Sequence, residues 1–84
     1  MKFRVSVQVL PRRGILDPQG KAVSDALRTL GFAEVEDVHV GRHLVIETSA
    51  TSPDAAAESV RAMCGRLLAN PVTEDFVIAG VDAR

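Results

Sequence analysis

Residues 11–20, Pro11-Arg12-Arg13-Gly14-Ile15-Leu16-Asp17-Pro18-Gln19-Gly20, mark the point at which the chain changes its hydrophobic period. Before them, Phe3, Val5, Val7 and Val9 alternate with Arg4, Ser6 and Gln8, the pattern of a strand with one apolar and one polar face. After them, Val23, Ala26, Leu27 and Leu30 recur at helical spacing. Pro11 and Gly14 break the strand and begin a loop. Asp17 reads as a helix N-cap, because its carboxylate can accept orphan backbone N–H groups. Pro18 follows at the first helical position, where its missing N–H costs nothing.

The helix ends at Gly31, where glycine adopts a left-handed conformation cheaply, and Phe32 can fold back onto the last turn. Residues 34–40 predict a second strand. Val35 is out of phase with Val38 and Val40, which predicts a bulge near Glu36-Asp37. Gly41-Arg42 predicts a tight turn into a third strand whose inner face carries Leu44 and Ile46. Ser52-Pro53 repeats the cap-then-proline signal. Ala56, Val60, Met63 and Leu67 then form the apolar stripe of a second helix, which Asn70-Pro71 stops. A fourth strand covers Glu74 to Val81, with Phe76 and Ile78 on one side and Val77, Ala79 and Val81 on the other.

The expected order is therefore βαββαβ, an α+β single domain spanning residues 1–84. Right-handed crossovers close such a chain as a ferredoxin-like four-stranded antiparallel sheet with both helices on one face. Strands 1 and 3 would be central and strand 4 an edge. An edge that is apolar on both sides needs a cover, which a second copy or another protein can provide.

A chain of 84 residues has room for one core. Small domains of this kind gain stability from disulfides, metals or association. The single cysteine, Cys64, excludes an internal disulfide, and no Cys/His cluster suggests a metal, so self-association is the expected device. Ten basic and eleven acidic side chains give a net charge of −1, which is not the balance of a nucleic-acid binder. The start, Met1-Lys2-Phe3-Arg4, lacks the apolar core of a signal peptide, and no apolar run reaches the roughly 20 residues of a membrane span. A cytoplasmic chain that binds neither nucleic acid nor membrane is expected.

Candidate chemistry is sparse. Cys64 on the second helix could be a nucleophile only beside a base in an electropositive niche; a buried cysteine packing as a small hydrophobe is the plainer reading. His39 and His43 flank the Gly41-Arg42 turn, but a metal site needs a third ligand, so exposed turn histidines are expected. Arg12, Arg13 and Gly14 precede a helix N-terminus, a setting that attracts anions. Asp17 already occupies that cap with its own negative charge, which leaves the arginines as solvated loop residues or as contacts to an acidic partner or a substrate phosphate. Pairs such as Asp25–Arg28 and Glu58–Arg61 sit at i,i+3 on solvated helix faces. With three Phe, no Tyr and no Trp there is no aromatic platform for RNA. No glycine-rich nucleotide loop is present. The single asparagine, Asn70, lies at a helix end, where an acylphosphatase-like reaction could not use it.

Over nearly its whole length the sequence resembles the PurS family, the small subunit of phosphoribosylformylglycinamidine (FGAM) synthase. The resemblance rests on Gly14 through Gly20, on Ala22, Val23, Leu27, Leu30, Gly31 and Phe32, and on Val38 and Gly41. It continues at Met63-Cys64, at Leu67-Leu68-Ala69-Asn70-Pro71-Val72 and at Glu74-Asp75-Phe76. Thr73 stands where the family more often has an apolar residue, and Phe76 where tyrosine is common.

That resemblance implies a role inside a glutamine- and ATP-dependent ligase of purine biosynthesis. A glutaminase subunit would release ammonia, and a large subunit holding ATP and Mg would activate the substrate's formamide oxygen. This chain would bind no cofactor and carry no catalytic residue. It would form a homodimer or tetramer, bridge the other two subunits and support ammonia transfer. The candidate contacts are Arg12, Arg13, Asp17 and Gln19 in the 12–20 loop, Asn70 and Glu74 at the second helix's exit, and Phe76 and Val77 on the last strand. The alternative is an ACT-like regulatory module that binds a small amino acid at a dimer interface, which Gly14-Ile15-Leu16 leading into the first helix also resembles.

Overall fold

The computed structural model describes residues 1–14 and 17–84. The central part of the expected Gly14–Gly20 signature, Ile15-Leu16, lies outside the described residues. Three antiparallel strands form one sheet: β1 (Lys2–Pro11), β2 (Arg42–Ser49) and β3 (Glu74–Ala83), in the order β2-β1-β3. Two helices, α1 (Pro18–Thr29) and α2 (Pro53–Met63), complete the α+β fold.

β1 is central because its alternation is complete. Phe3, Val5, Val7 and Val9 are buried, with the first at 1% exposure and the others at 0%. They face Leu44 and Ile46 of β2, Phe76, Ile78 and Val81 of β3, and Ala56, Val60 and Cys64 of the second helical segment. The alternate residues, Arg4, Ser6 and Gln8, lie on the outer face. There Arg4 and Arg84 pair with the two oxygens of Glu47 at 3.1 and 2.9 Å.

The structure departs from the four-stranded ferredoxin-like expectation in one region. Residues 34–40 form no strand and pair with none, and no tight turn closes at Gly41-Arg42. The anticipated third strand, β2, is therefore an edge instead of a central strand. The expected bulge near Glu36-Asp37 is absent with the strand. A bulge occurs instead opposite Ser6/Val7, where Ser6 pairs with Gly80 and Val7 with Ile78. Ala79 is the extra residue, and it shifts Val81 from the outer face to the core side with Phe76 and Ile78.

α1 makes no extended contact with any strand or with α2. It packs instead on residues 35–40, and the two form an arm that projects from the sheet. The radius of gyration is 16.2 Å, against about 12 Å for a compact chain of this length. The principal extents are 50 × 26 × 14 Å.

Both predicted N-caps are present. Asp17 accepts the Gly20 N–H at 2.9 Å, and Ser52 accepts the Ala55 N–H at 3.1 Å. Gly31 has φ +105°, and α1 ends in a Schellman motif, with Gly31 N–H donating to the Arg28 carbonyl and Phe32 N–H to the Leu27 carbonyl. α2 runs into a π-helical turn, Cys64–Leu68, closed by Ala69 N–H donating to the Cys64 carbonyl at 3.1 Å. That wider turn breaks the expected apolar stripe. Cys64 and Leu68 take the core side, and Leu67 is turned out to 83% exposure.

Candidate functional site

The residues singled out from sequence gather at two places. The first is the root of the arm. The Asp17 side chain is only 12% exposed. One carboxylate oxygen caps α1, and the other accepts the Val40 N–H at 3.1 Å, with His39 Nδ1 at 3.8 Å. The backbone donors of Gly20 and Val40 hold its carboxyl below the ordinary value, with His39 adding a smaller pull. Arg28 ties the other end of the arm, with Nε donating to the Val35 carbonyl at 2.9 Å and Nη2 to the Glu36 carbonyl. Gly20 lets the helix approach: a Cβ there would collide with the Val38 carbonyl oxygen and the Asp17 carboxylate. Sequence reasoning treated Gly20 only as part of a motif. Its signal was a glycine inside the first turn of a helix, where it costs stability unless something comes close.

A groove of about 270 Å³ lies between α1 and residues 37–39. Its charges are mixed, with Lys21 and Arg28 beside Asp17, Asp25 and Asp37. Lys21 and Arg28 both pair with Asp25, at 3.1 and 3.3 Å. Gln19 sits exposed on the first turn of α1, and Arg13 is exposed in the preceding turn.

The second place is the corner between the π turn and β3. Glu74 is half-buried there. Its Oε1 accepts the Asn70 N–H at 2.9 Å and the Arg42 Nη2 at 2.9 Å. The same Arg42 nitrogen donates to the Leu68 carbonyl at 2.9 Å. Asn70 Oδ1 accepts the Val72 N–H at 3.0 Å, an Asx turn that explains the helix stop. Arg12 joins the corner through its backbone N–H to the Thr73 carbonyl at 2.8 Å and its Nε to Asp75 at 3.3 Å. Arg42 was not singled out from sequence, because nothing local distinguishes it from a solvated turn arginine.

The corner holds its backbone tightly and presents Val72 at 73% exposure beside exposed Pro71. Phe76 is half-buried on the core side, whereas Val77 on the outer face is 58% exposed. The eight candidate contacts thus do not form one surface. Arg12, Asn70 and Glu74 share the corner, Asp17 and Gln19 the arm root with Arg13 in the turn before it, and Phe76 and Val77 opposite faces of β3.

Cys64 is buried, and burial pushes its thiol up, away from the thiolate a nucleophile needs. His43 is exposed on the outer face of β2, while His39 lies 3.8 Å from Asp17. Among the described residues no group of three or more His, Cys, Asp or Glu could hold a metal. No helix among them is long and apolar enough to cross a membrane.

Residues 4–82 match the family model "PurS: Phosphoribosylformylglycinamidine (FGAM) synthase". The PurS subunit of Bacillus subtilis is 42% identical over 76 residues, covering 88% of this chain and 87% of that relative. The PurS subunit of Mycobacterium leprae is 39% identical over 75 residues, covering 89% and 91%. Among solved structures, PurS from Thermus thermophilus superposes with a TM-score of 0.85 at 38% identity over 100% of this chain and 99% of that one. Agreement over the full length includes the projecting arm. A chain in the structure of PurLQS from Thermotoga maritima gives 0.81 at 28% identity, over 96% and 95%. This chain therefore belongs to the PurS family, the small subunit of FGAM synthase, a glutamine-dependent ligase of purine biosynthesis.

Proposed function

We propose that this chain is the bridging subunit of FGAM synthase, self-associating and contacting both the ATP-dependent large subunit and the glutamine amidotransferase subunit. The observation that carries this reading is the likeness, over nearly the full length of both chains, to a chain of the PurLQS structure. The slender shape supports it, because a chain 50 Å long presents well-separated surfaces to different neighbours. In this reading ATP and Mg belong to the large subunit, and the assembly works in the cytoplasm. The exposed residues Arg12, Arg13 and Gln19 and the corner apex at Pro71-Val72 are the contact surfaces. Asp17, Asn70 and Glu74 act indirectly, by fixing the loops that carry those surfaces.

The mechanism asked of this chain is confinement. Ammonia released into water at neutral pH is protonated and ceases to be a nucleophile. A rigid bridge that clamps two subunits keeps its path enclosed without itself reacting. Family membership sets aside the amino-acid-binding regulatory module.

The test compares FGAM formation by the large and glutaminase subunits with glutamine or with ammonium salt as nitrogen source. Glutamine-dependent turnover that requires this chain, with ammonia-dependent turnover largely surviving its omission, is the expected result. Equal rates with and without the chain under both conditions would overturn the bridging role.

A further inference from the structure

The π turn leaves a space that its own side chains do not fill. It turns Leu67 outward, and the helical side of the space beside the start of β3 is formed by Cys64, Gly65 and Ala69. Gly65 and Ala69 are too small to reach across it. The result is a cavity of about 170 Å³, closed on its other side by Pro71 and Phe76. It lies at the corner held by Arg42, Glu74 and Asn70, and its exposed edge includes Gly65, Pro71 and Asp75.

The volume decides the size of an occupant. Sites for small molecules run from about 300 to 1,000 Å³, and one water takes roughly 30 Å³. The cavity lies between the two, at the scale of one side chain, and its lining of Cys64, Ala69, Pro71 and Phe76 favours an aliphatic one. Charge decides what accompanies it. Arg12 lines the same cavity, and its contacts use Nε, to Asp75 at 3.3 Å and to the Glu74 carbonyl at 3.4 Å. Its two terminal nitrogens make no hydrogen bond among the described residues, and its side chain is 46% exposed, so they can receive a carboxylate from outside. The Glu74 carboxylate does not compete for them, because Arg42 and the Asn70 N–H already occupy it.

We infer that this cavity is a socket for one aliphatic side chain of a larger subunit of the synthase, carried on a segment with a carboxylate beside it. This deepens the bridging reading above and rests on it. A single side chain seated in a desolvated pocket can dominate the energy of an interface. The carboxylate meets Arg12 at the rim and fixes the direction in which the segment crosses the corner. Little ordering is needed on this side, because Arg42, Glu74, Asn70 and the Arg12 N–H bond to Thr73 already hold the walls. Val72, exposed next to Pro71, extends the apolar contact beyond the socket.

The test titrates the full chain against the large and the glutaminase subunits separately, alongside its melting temperature and its mass by light scattering. Gly65 is the probe, because an added Cβ there meets no atom of the chain within 4 Å. Gly65→Ala and Gly65→Leu fill the cavity in steps. Affinity for one of the two subunits should fall in that order, by at least about tenfold for Gly65→Leu, with neither melting temperature nor mass reduced. Arg12→Gln keeps the backbone bond to Thr73 and should flatten the salt dependence of the same binding. Unchanged salt dependence would overturn the acidic character of the partner segment. Undiminished binding of Gly65→Leu to both subunits would overturn the socket while leaving the bridge intact. A change in the chain's own mass would assign the cavity to self-association and overturn the socket. Wild-type chain that binds neither subunit would overturn the bridge and the socket together.

Discussion

Asp17 accepts the backbone N–H of Val40, 23 residues further on, at 3.1 Å while also capping α1 through Gly20. A single carboxylate therefore joins both ends of the arm. What looks from sequence like a local helix cap is also the clasp that keeps α1 and residues 35–40 together. Replacing Asp17 with Ala removes both bonds, and the melting temperature should fall by roughly 4–8 °C per kcal/mol of cap lost. The pH dependence has a definite sign. The folded carboxyl sits below the ordinary 3.8. Its contribution is fully present above that value and is lost as pH falls through the lower folded pKa. The difference in melting temperature between wild type and Asp17→Asn should be constant near neutrality and shrink below pH 3.8. A difference that persists unchanged into strong acid would show that charge plays no part in the clasp.

Gly20→Ala is a second probe of the same region. In an ordinary helix this change stabilises, by about 1 kcal/mol. Here the added methyl meets the Val38 carbonyl oxygen and the Asp17 carboxylate. The expected outcome is destabilisation, with proteolysis concentrated in residues 17–40. Urea denaturation of the two proteins decides the sign.

The π turn makes an unusual prediction for two adjacent leucines. Leu67→Ala removes a side chain that is 83% exposed and should change stability by less than about 0.5 kcal/mol. Leu68→Ala removes a half-buried side chain packed on the core and should cost about 1–2 kcal/mol. A continuous α-helix would reverse the order, so chemical denaturation of the pair reads the turn directly. Should Leu67→Ala instead weaken binding to the other subunits, Leu67 would join the contact surface.

The Arg42–Glu74 pair is half-exposed, and its charge attraction alone is worth little. The two side chains nevertheless satisfy the Leu68 carbonyl and the Asn70 N–H. Single changes, Arg42→Met and Glu74→Gln, should each cost about 1 kcal/mol, with a coupling energy of similar size in a double-mutant cycle. Additive effects within experimental error would mean that the corner is held by Asn70 alone.

Much of this architecture was legible locally. The alternation of Phe3 to Val9 and the Asp17-Pro18 and Ser52-Pro53 caps are each encoded within a few residues. So are the Gly31 terminus and the Asn70 turn, and the structure contains them all. Local signals also led to errors where a neighbour elsewhere in the chain decides the outcome. The bulge at Ala79 reversed the side assigned to Val81, because register is set by pairing with β1. The π turn reversed Leu67, because one extra residue per turn is invisible to a fixed period.

The sequence by itself determined three of the strands, both helices and their caps, the burial of Cys64 and the family. These depend on side-chain period, backbone preferences near Pro, Gly and Asp, and residue identity along the chain. Only the tertiary structure decided that residues 34–40 do not pair along the outer edge of β2, that Asp17 reaches Val40, and that Arg42 and Glu74 hold the corner. A strand pattern states which face wants burial but not which edge, or whose, it will join. That choice is made by contacts between residues far apart in sequence, where no local period carries the information.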